Sequence, residues 1–200
     1  MPEHENRGVS PPGYTAYGLA WDDLRVPLTS AKLTGASDPS FLKWRDDGSG
    51  STGVYAYSFD DGTEQQLFFI AQLPHSYSEG TDLYVHTHWG VNTTTATGTL
   101  IWGLEWTLAG KDESFATTTL STATYEFTEN IQYKEQINAL VTIPGTTSGG
   151  VKISDLLVCR FYRDASSDTF ADPAFCFEVD IHFQADSNGT LNEFSGKPTD

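Results

Sequence analysis

Large apolar residues recur at every second position of GTLIWGLEWTLAG. Leu100, Trp102, Leu104, Trp106 and Leu108 share one face of an extended segment, and Ile101, Gly103, Glu105 and Thr107 share the other. The same period of two runs through LYVHTHW (83–89), where Val85, Thr87 and Trp89 alternate with Tyr84, His86 and His88. It returns near the end of the chain, where Phe177, Val179, Ile181 and Phe183 alternate with Glu178, Asp180, His182 and Gln184. Each pattern predicts a half-buried β-strand, because side chains two apart on a strand point the same way. Further strand-like runs are WDDLRVPLTSAKL (21–33), VYAYSF (54–59), QQLFFIAQL (65–73), SFATTTLSTATYEF (114–127), YKEQINALVTI (133–143) and GVKISDLLVCRFYRD (150–164). YKEQINALV is the one stretch that could form a turn or two of helix; its Lys, Glu and Gln suit a polar edge strand equally well.

Eight or more such strands, punctuated by turn-rich segments, predict an all-β fold: an antiparallel β-sandwich of jelly-roll type, with an up-and-down barrel as the alternative. Asp61-Gly62, set between two apolar runs, predicts a tight hairpin. ASSDTFADP (165–173) predicts a second hairpin between LLVCRFYRD and AFCFEVDIHF. Matching apolar faces across that hairpin sets Leu157, Cys159 and Phe161 beside Phe175, Phe177 and Val179, and leaves Cys176 on the polar face with Glu178 and Asp180. On this register the two cysteines point apart and form no disulfide, as suits a reducing cytoplasm, unless a one-residue bulge reverses the face.

Residues 1–20 carry Pro2, Gly8, Pro11, Pro12, Gly13 and Gly18, with few aliphatic side chains, and read as an extended N-terminal arm. Tyr14 and Tyr17 would give that arm something to bury. Residues 21–200 form a single β-sandwich domain, with a polar tail, GTLNEFSGKPTD, that frays. A chain of 200 residues can bury roughly 70% of its unfolded surface, enough for a core without staples. The 27 acidic residues against 11 basic ones give a formal net charge of -16, which repels nucleic acid and anionic membrane alike. The sequence contains no run of about 18 apolar residues and no ordinary export signal at its N-terminus, so synthesis in the cytoplasm is expected.

His86 and His88, two apart on one predicted face, have the spacing of a chelating pair. Gly80, five residues and then His86-Thr-His88 resemble the start of the cupin metal motif. The resemblance stops there, because Gly90, Val91, Asn92, Thr93 and Thr94 stand where that family continues to a Glu, and no second cupin motif follows. A third ligand would have to come from Glu105 or His182, and the simpler reading of Tyr84, His86 and His88 is a polar strand face. The acidic pairs Asp22-Asp23, Asp46-Asp47 and Asp60-Asp61 lack the spacing of a calcium loop and read as solvated turns. Trp102 and Trp106 belong to the apolar face, Trp44 and Tyr55 are the aromatics best placed for a loop-borne sugar platform, and Cys159 and Cys176 read as buried small hydrophobes. No catalytic, cofactor-binding or metal-binding residue is assigned.

Residues 68–109, FFIAQLPHSYSEGTDLYVHTHWGVNTTTATGTLIWGLEWTLA, together with YKEQINAL, ISDLLVCRFYRDASSDTF and FEVDIHFQADSNGTLNEF, resemble a family of tailed-phage virion structural proteins. The matching positions are Gln72, Pro74, His75, Tyr77, Glu79–Leu83, His86, His88, Trp89, Gly98, Trp102, Leu104–Trp106, Val179–Phe183 and Asp186–Gly189, with Val179 in place of the expected Phe. The resemblance spans roughly residues 21–194 and implies a jelly-roll component of a phage particle, serving assembly rather than catalysis. The arm, the stiff β domain and the acidity then point to a capsid decoration (cement) protein on the shell exterior, partnered by the major capsid protein and self-associated as a homotrimer. The alternatives are a tail-associated receptor- or carbohydrate-binding module and, less favoured, a cupin-like metalloenzyme using His86, His88 and Glu105.

Overall fold

A computed structural model of the chain describes residues 20–94 and 96–186; the N-terminal arm, with Tyr14 and Tyr17, and the polar tail lie outside the described residues. The strand-like segments become β1 (Ala20–Pro27), β3 (Val54–Phe59), β4 (Gln65–Gln72), β5 (Leu83–Gly90), β6 (Thr99–Ala109), β7 (Thr119–Glu126), β8 (Gln136–Ile143), β9 (Leu156–Arg163) and β10 (Ala174–Ala185), and SFLKWR, which the pattern leaves out, adds β2 (Ser40–Arg45). YKEQINALV supplies β8, an edge strand, and no helix.

Two antiparallel sheets pack face to face. One runs β2-β3-β10-β5-β8 with β1 beside β10, and the other runs β4-β9-β6-β7. From β3 onward the pairing follows a folded ribbon: β3 with β10, β4 with β9, β5 with β8 and β6 with β7. The β10–β5 and β9–β6 pairs close the two sheets. This is the jelly roll, and it replaces the barrel alternative. β1 and β3 share one edge of β10, since β5 occupies the other.

The core is the sum of the inward faces. Leu100, Trp102, Leu104, Trp106 and Leu108 are all buried, as their alternation predicts. Trp102 stacks on Phe161 at 5.0 Å, and Phe59 meets both rings edge-on. Fully burying a large apolar side chain contributes about 1.5–3 kcal/mol, so this aromatic centre dominates the packing between the sheets.

Both predicted hairpins are instead crossings between sheets. β3 and β4, joined through Asp61-Gly62, lie in different sheets, and so do β9 and β10. Each of these strands buries one apolar face, and burying it against the opposite sheet answers the same pattern as a hairpin would; turn composition marks the bend without choosing the partner. The predicted position of Cys176 is also reversed. Cys176 pairs with Trp89 and Glu178 with His88, so Phe177 is an extra, bulged residue. Ala174 and Cys176 therefore face the core, while Phe175 and Phe177 turn outward onto Trp44, each at 5.0 Å. Cys159 and Cys176 are both free and buried, and burial pushes the Cys176 thiol up to about 12.

A buried ion pair lies at one end of this core. Arg163, with no solvent exposure, donates from Nε and Nη2 to Asp168 at 2.7 and 3.2 Å, from Nη1 to the carbonyls of Phe59 and Asp172 at 3.2 and 2.8 Å, and from Nη2 to the carbonyl of Phe170. These bonds tie β9, the 164–173 crossing and the end of β3 together. Removing one partner of a buried pair strands the other, at a cost of about 3–5 kcal/mol. Arg163→Ala should therefore lose about that much stability in urea unfolding, far more than truncation of an exposed arginine such as Arg25.

Candidate functional site

The two outer faces of the sandwich differ in chemistry. On β5, Val85, Thr87 and Trp89 are buried, and Trp89 donates its indole N–H to Asn138 at 2.8 Å. Tyr84, His86 and His88 consequently face outward, as the alternation predicts. Beside them, β10 presents Glu178, Asp180, His182 and Gln184, because the bulge at Phe177 restores the polar phase of its second half. β1 adds Trp21, Asp23 and Arg25 in register opposite Gln184, His182 and Asp180.

Asp180 is the centre of this face, with its side chain only 7% exposed. Its Oδ2 lies 2.8 Å from His182 Nε2 and 3.5 Å from His88 Nε2, and its Oδ1 lies 3.9 Å from His86 Nδ1. The rings of His86 and His182 are 4.2 Å apart, and Asp23 Oδ1 approaches His182 Nε2 at 3.2 Å. His88 Nδ1 is bonded to Glu135 at 2.7 Å. Arg25 does not neutralise Asp180, since both ends of its guanidinium fork go to Glu178 at 2.7 and 2.6 Å. The two histidines of the HTH stretch are thus electrostatically opposite. Burial and the neighbouring His182 imidazole hold His86 below the ordinary range. Burial also disfavours the charged form of His88, but the bond to Glu135 and the charge of Asp180 outweigh it and hold His88 above that range.

Of the ligands proposed from sequence, His182 joins His86 and Glu105 does not. Glu105 lies on the outer face of the opposite sheet, accepting from Thr118 at 2.7 Å and from Arg160 at 3.0 Å. Asp180 was not singled out in the sequence, although the alternation already placed it between Glu178 and His182; the missing information was that β5 and β10 are neighbours. His75 bonds to Ser154 at 3.1 Å, away from this cluster. Asp46 pairs with Lys43 at 2.6 Å and Asp47 accepts backbone N–H groups of Ser49 and Ser51, so that acidic pair organises its own turn. Asp22-Asp23 lies within β1 rather than in a turn. Trp44 and Tyr55 lie on strands β2 and β3, Trp44 against Tyr133, Phe175 and Phe177 and Tyr55 stacked on Phe41 at 5.8 Å.

The outer face of the second sheet is apolar at one end. Ile70, 66% exposed, sits in register with Val158, beside Phe68 and the exposed Leu156. Ser30, Lys32, Phe68, Phe69, Ile70 and Val158 line a cavity of about 370 Å³. Lys32 exchanges backbone hydrogen bonds with Phe68 at 2.7 and 3.0 Å and covers the β4 edge there. The other end is polar: Arg160 lies over the Tyr162 ring at 4.1 Å and reaches Glu64, Gln66 and Glu105. Position 103 must be glycine, because a Cβ there would come within 2.1 Å of the Tyr162 ring.

No protein-family model matches the chain, and no curated protein matches it. Among solved structures it is similar to a family 16 carbohydrate-binding module, at 12% identity over 78% of this chain and 92% of that one, with a TM-score of 0.40. It is also similar to TmCBM27, a module of mannan recognition, at 14% identity over 84% and 99%, TM-score 0.39. A third likeness is to a chain of infectious bursal disease virus, Gx strain, at 14% identity over 76% and 39%, TM-score 0.32. At such identities these likenesses concern the fold alone. No helix among the described residues is long and apolar enough to cross a membrane.

The Glu105 bridge makes a checkable contribution. The Thr118 hydroxyl and then Arg160 hold the Glu105 carboxyl below its ordinary range. A carboxylate shifted downward stabilises the fold above its unfolded value, and that stability disappears as pH falls through the folded value. Glu105→Gln should cost about 1 kcal/mol or less at neutral pH, and its Tm difference from wild type should close between about pH 5 and pH 3.

Proposed function

We propose that this chain is a structural module of a phage particle, a capsid decoration protein that binds the outer surface of the shell through its second sheet and its N-terminal arm. The observation that carries the reading is the apolar groove around Ile70, Phe68 and Val158 on the outer face of the second sheet, where Ile70 stands 66% exposed. An apolar patch set on rigid strands, rather than on a closed catalytic cleft, suits a lasting contact between proteins. The strong acidity and the resemblance of the sequence to virion proteins support the same reading, with the major capsid protein as partner and a homotrimer as the assembled form. Burying an Ile side chain is worth about 1.5–3 kcal/mol, or roughly one to two decades of affinity. Ile70→Asp should thus weaken co-sedimentation with intact shells at least tenfold while leaving Tm unchanged, and deletion of residues 1–20 should weaken it further. Equal decoration by both variants would sink the proposal.

A second reading, a glycan-binding module of the tail, rests on Phe41 and Tyr55. These half-exposed rings are stacked within 28° of parallel beside Tyr57, an aromatic platform of the kind on which sugar rings lie. It predicts glycan-array or host-cell binding by the full chain that Phe41→Ala abolishes. Shell binding that survives this substitution, with no glycan retained, favours the capsid reading.

A further inference from the structure

We propose that His86, Asp180 and His182 form a binding site for a single divalent transition-metal ion of the zinc class on the outer face of the first sheet. The sequence left this face without an assigned ligand, and the proposal departs from that assignment on geometry. One donor atom from each of the three residues lies within 4.8 Å of the other two. Donors around a tetrahedral zinc ion, each at 2.0–2.1 Å, are about 3.3 Å apart, so small rotations about χ1 and χ2 would close the set. The three residues sit on adjacent antiparallel strands, with His86 directly opposite Asp180 in register, so the backbone spacing is fixed by the sheet.

An independent observation points to the same ion. His86 Nδ1 and Asp180 Oδ1 are buried without any hydrogen-bond partner among the described residues, and they face each other at 3.9 Å, too far apart to bond directly. Buried donors and acceptors left unmade are rare because they are costly, and a cation between the two atoms would satisfy both. The surroundings fit that role. Arg25, the cation nearest in register to Asp180, is held by Glu178. His88, anchored by Glu135, stands 3.5 Å from Asp180 Oδ2 and can orient the carboxylate from outside the ligand set. Asp23, 3.2 Å from His182 Nε2, is half exposed and placed to supply a fourth oxygen or to leave that position to solvent. Two imidazoles select zinc, cobalt or nickel over calcium or magnesium, which prefer all-oxygen shells.

The full chain, stripped with chelator and dialysed, should bind one equivalent of Zn²⁺ by calorimetry, and Co²⁺ should give visible d–d absorption. His86→Ala, His182→Ala and Asp180→Asn should each weaken Zn²⁺ binding at least tenfold and abolish the rise in Tm that Zn²⁺ gives wild type. Glu105→Gln, on the opposite face, should leave both unchanged. Circular dichroism of each variant confirms that it is folded. Absence of stoichiometric binding to folded wild type would overturn the proposal, as would binding that survives His86→Ala and His182→Ala, which would place the metal at His75, His88 or His4.

Discussion

Arg163 is a full charge with no solvent exposure, and the surrounding architecture is organised to tolerate it. Its side chain supplies five N–H groups, and five acceptor contacts receive them: two from Asp168 and one each from the carbonyls of Phe59, Phe170 and Asp172. Three of those acceptors are backbone carbonyls in the crossing between β9 and β10 or at the end of β3, so the guanidinium satisfies main-chain groups where the chain changes sheet. The ion pair is therefore less a source of net stability than a means of specifying one path for the chain between sheets. Arg163 lies in register with Trp102 and donates to the carbonyl of Phe59, two members of the aromatic centre, so the geometry of the core and that of the crossing are set together.

Patterning was enough to read nine of the ten strands among the described residues; β2, almost wholly exposed, has no buried alternating face to report it. Leu100 through Leu108, and the buried Val85, Thr87 and Trp89, report their own faces because burial repeats with the pleat. Partnership was not readable in the same way. In a rolled ribbon most strands pair with a segment far along the chain, and among consecutive strands only β2–β3 and β6–β7 lie side by side. Asp61-Gly62 and the 165–173 segment have hairpin composition, yet a turn's residues describe how the chain bends and say nothing of which sheet receives it. Arg163, one arginine in a strand otherwise apolar on its inner face, gave no sign of a buried partner five residues ahead.

The same gap between face and partner explains the candidate site. His86 and His88 were correctly placed on an outward face, but their character depends on β10, which supplies Asp180 and His182, and on Glu135, just before β8, all from distant parts of the chain. Glu105 looked close in sequence and lies on the other side of the sandwich. The result is a molecule with two dissimilar outer surfaces, one a lattice of imidazoles and carboxylates and the other a partly apolar groove. Such a two-sided plate can engage a protein on one side while keeping a separate chemistry on the other.

The bulged residue Phe177 gives β10 a reading frame. Before it, odd-numbered side chains point out toward Trp44; after it, odd-numbered side chains point into the core and the even ones carry the carboxylate and imidazole. Related chains can therefore exchange residues along this strand freely within their chemical type. A change of length by a single residue between Cys176 and Glu178 would instead turn the ionic half of the strand inward, so insertions and deletions there should be far rarer in divergence than substitutions.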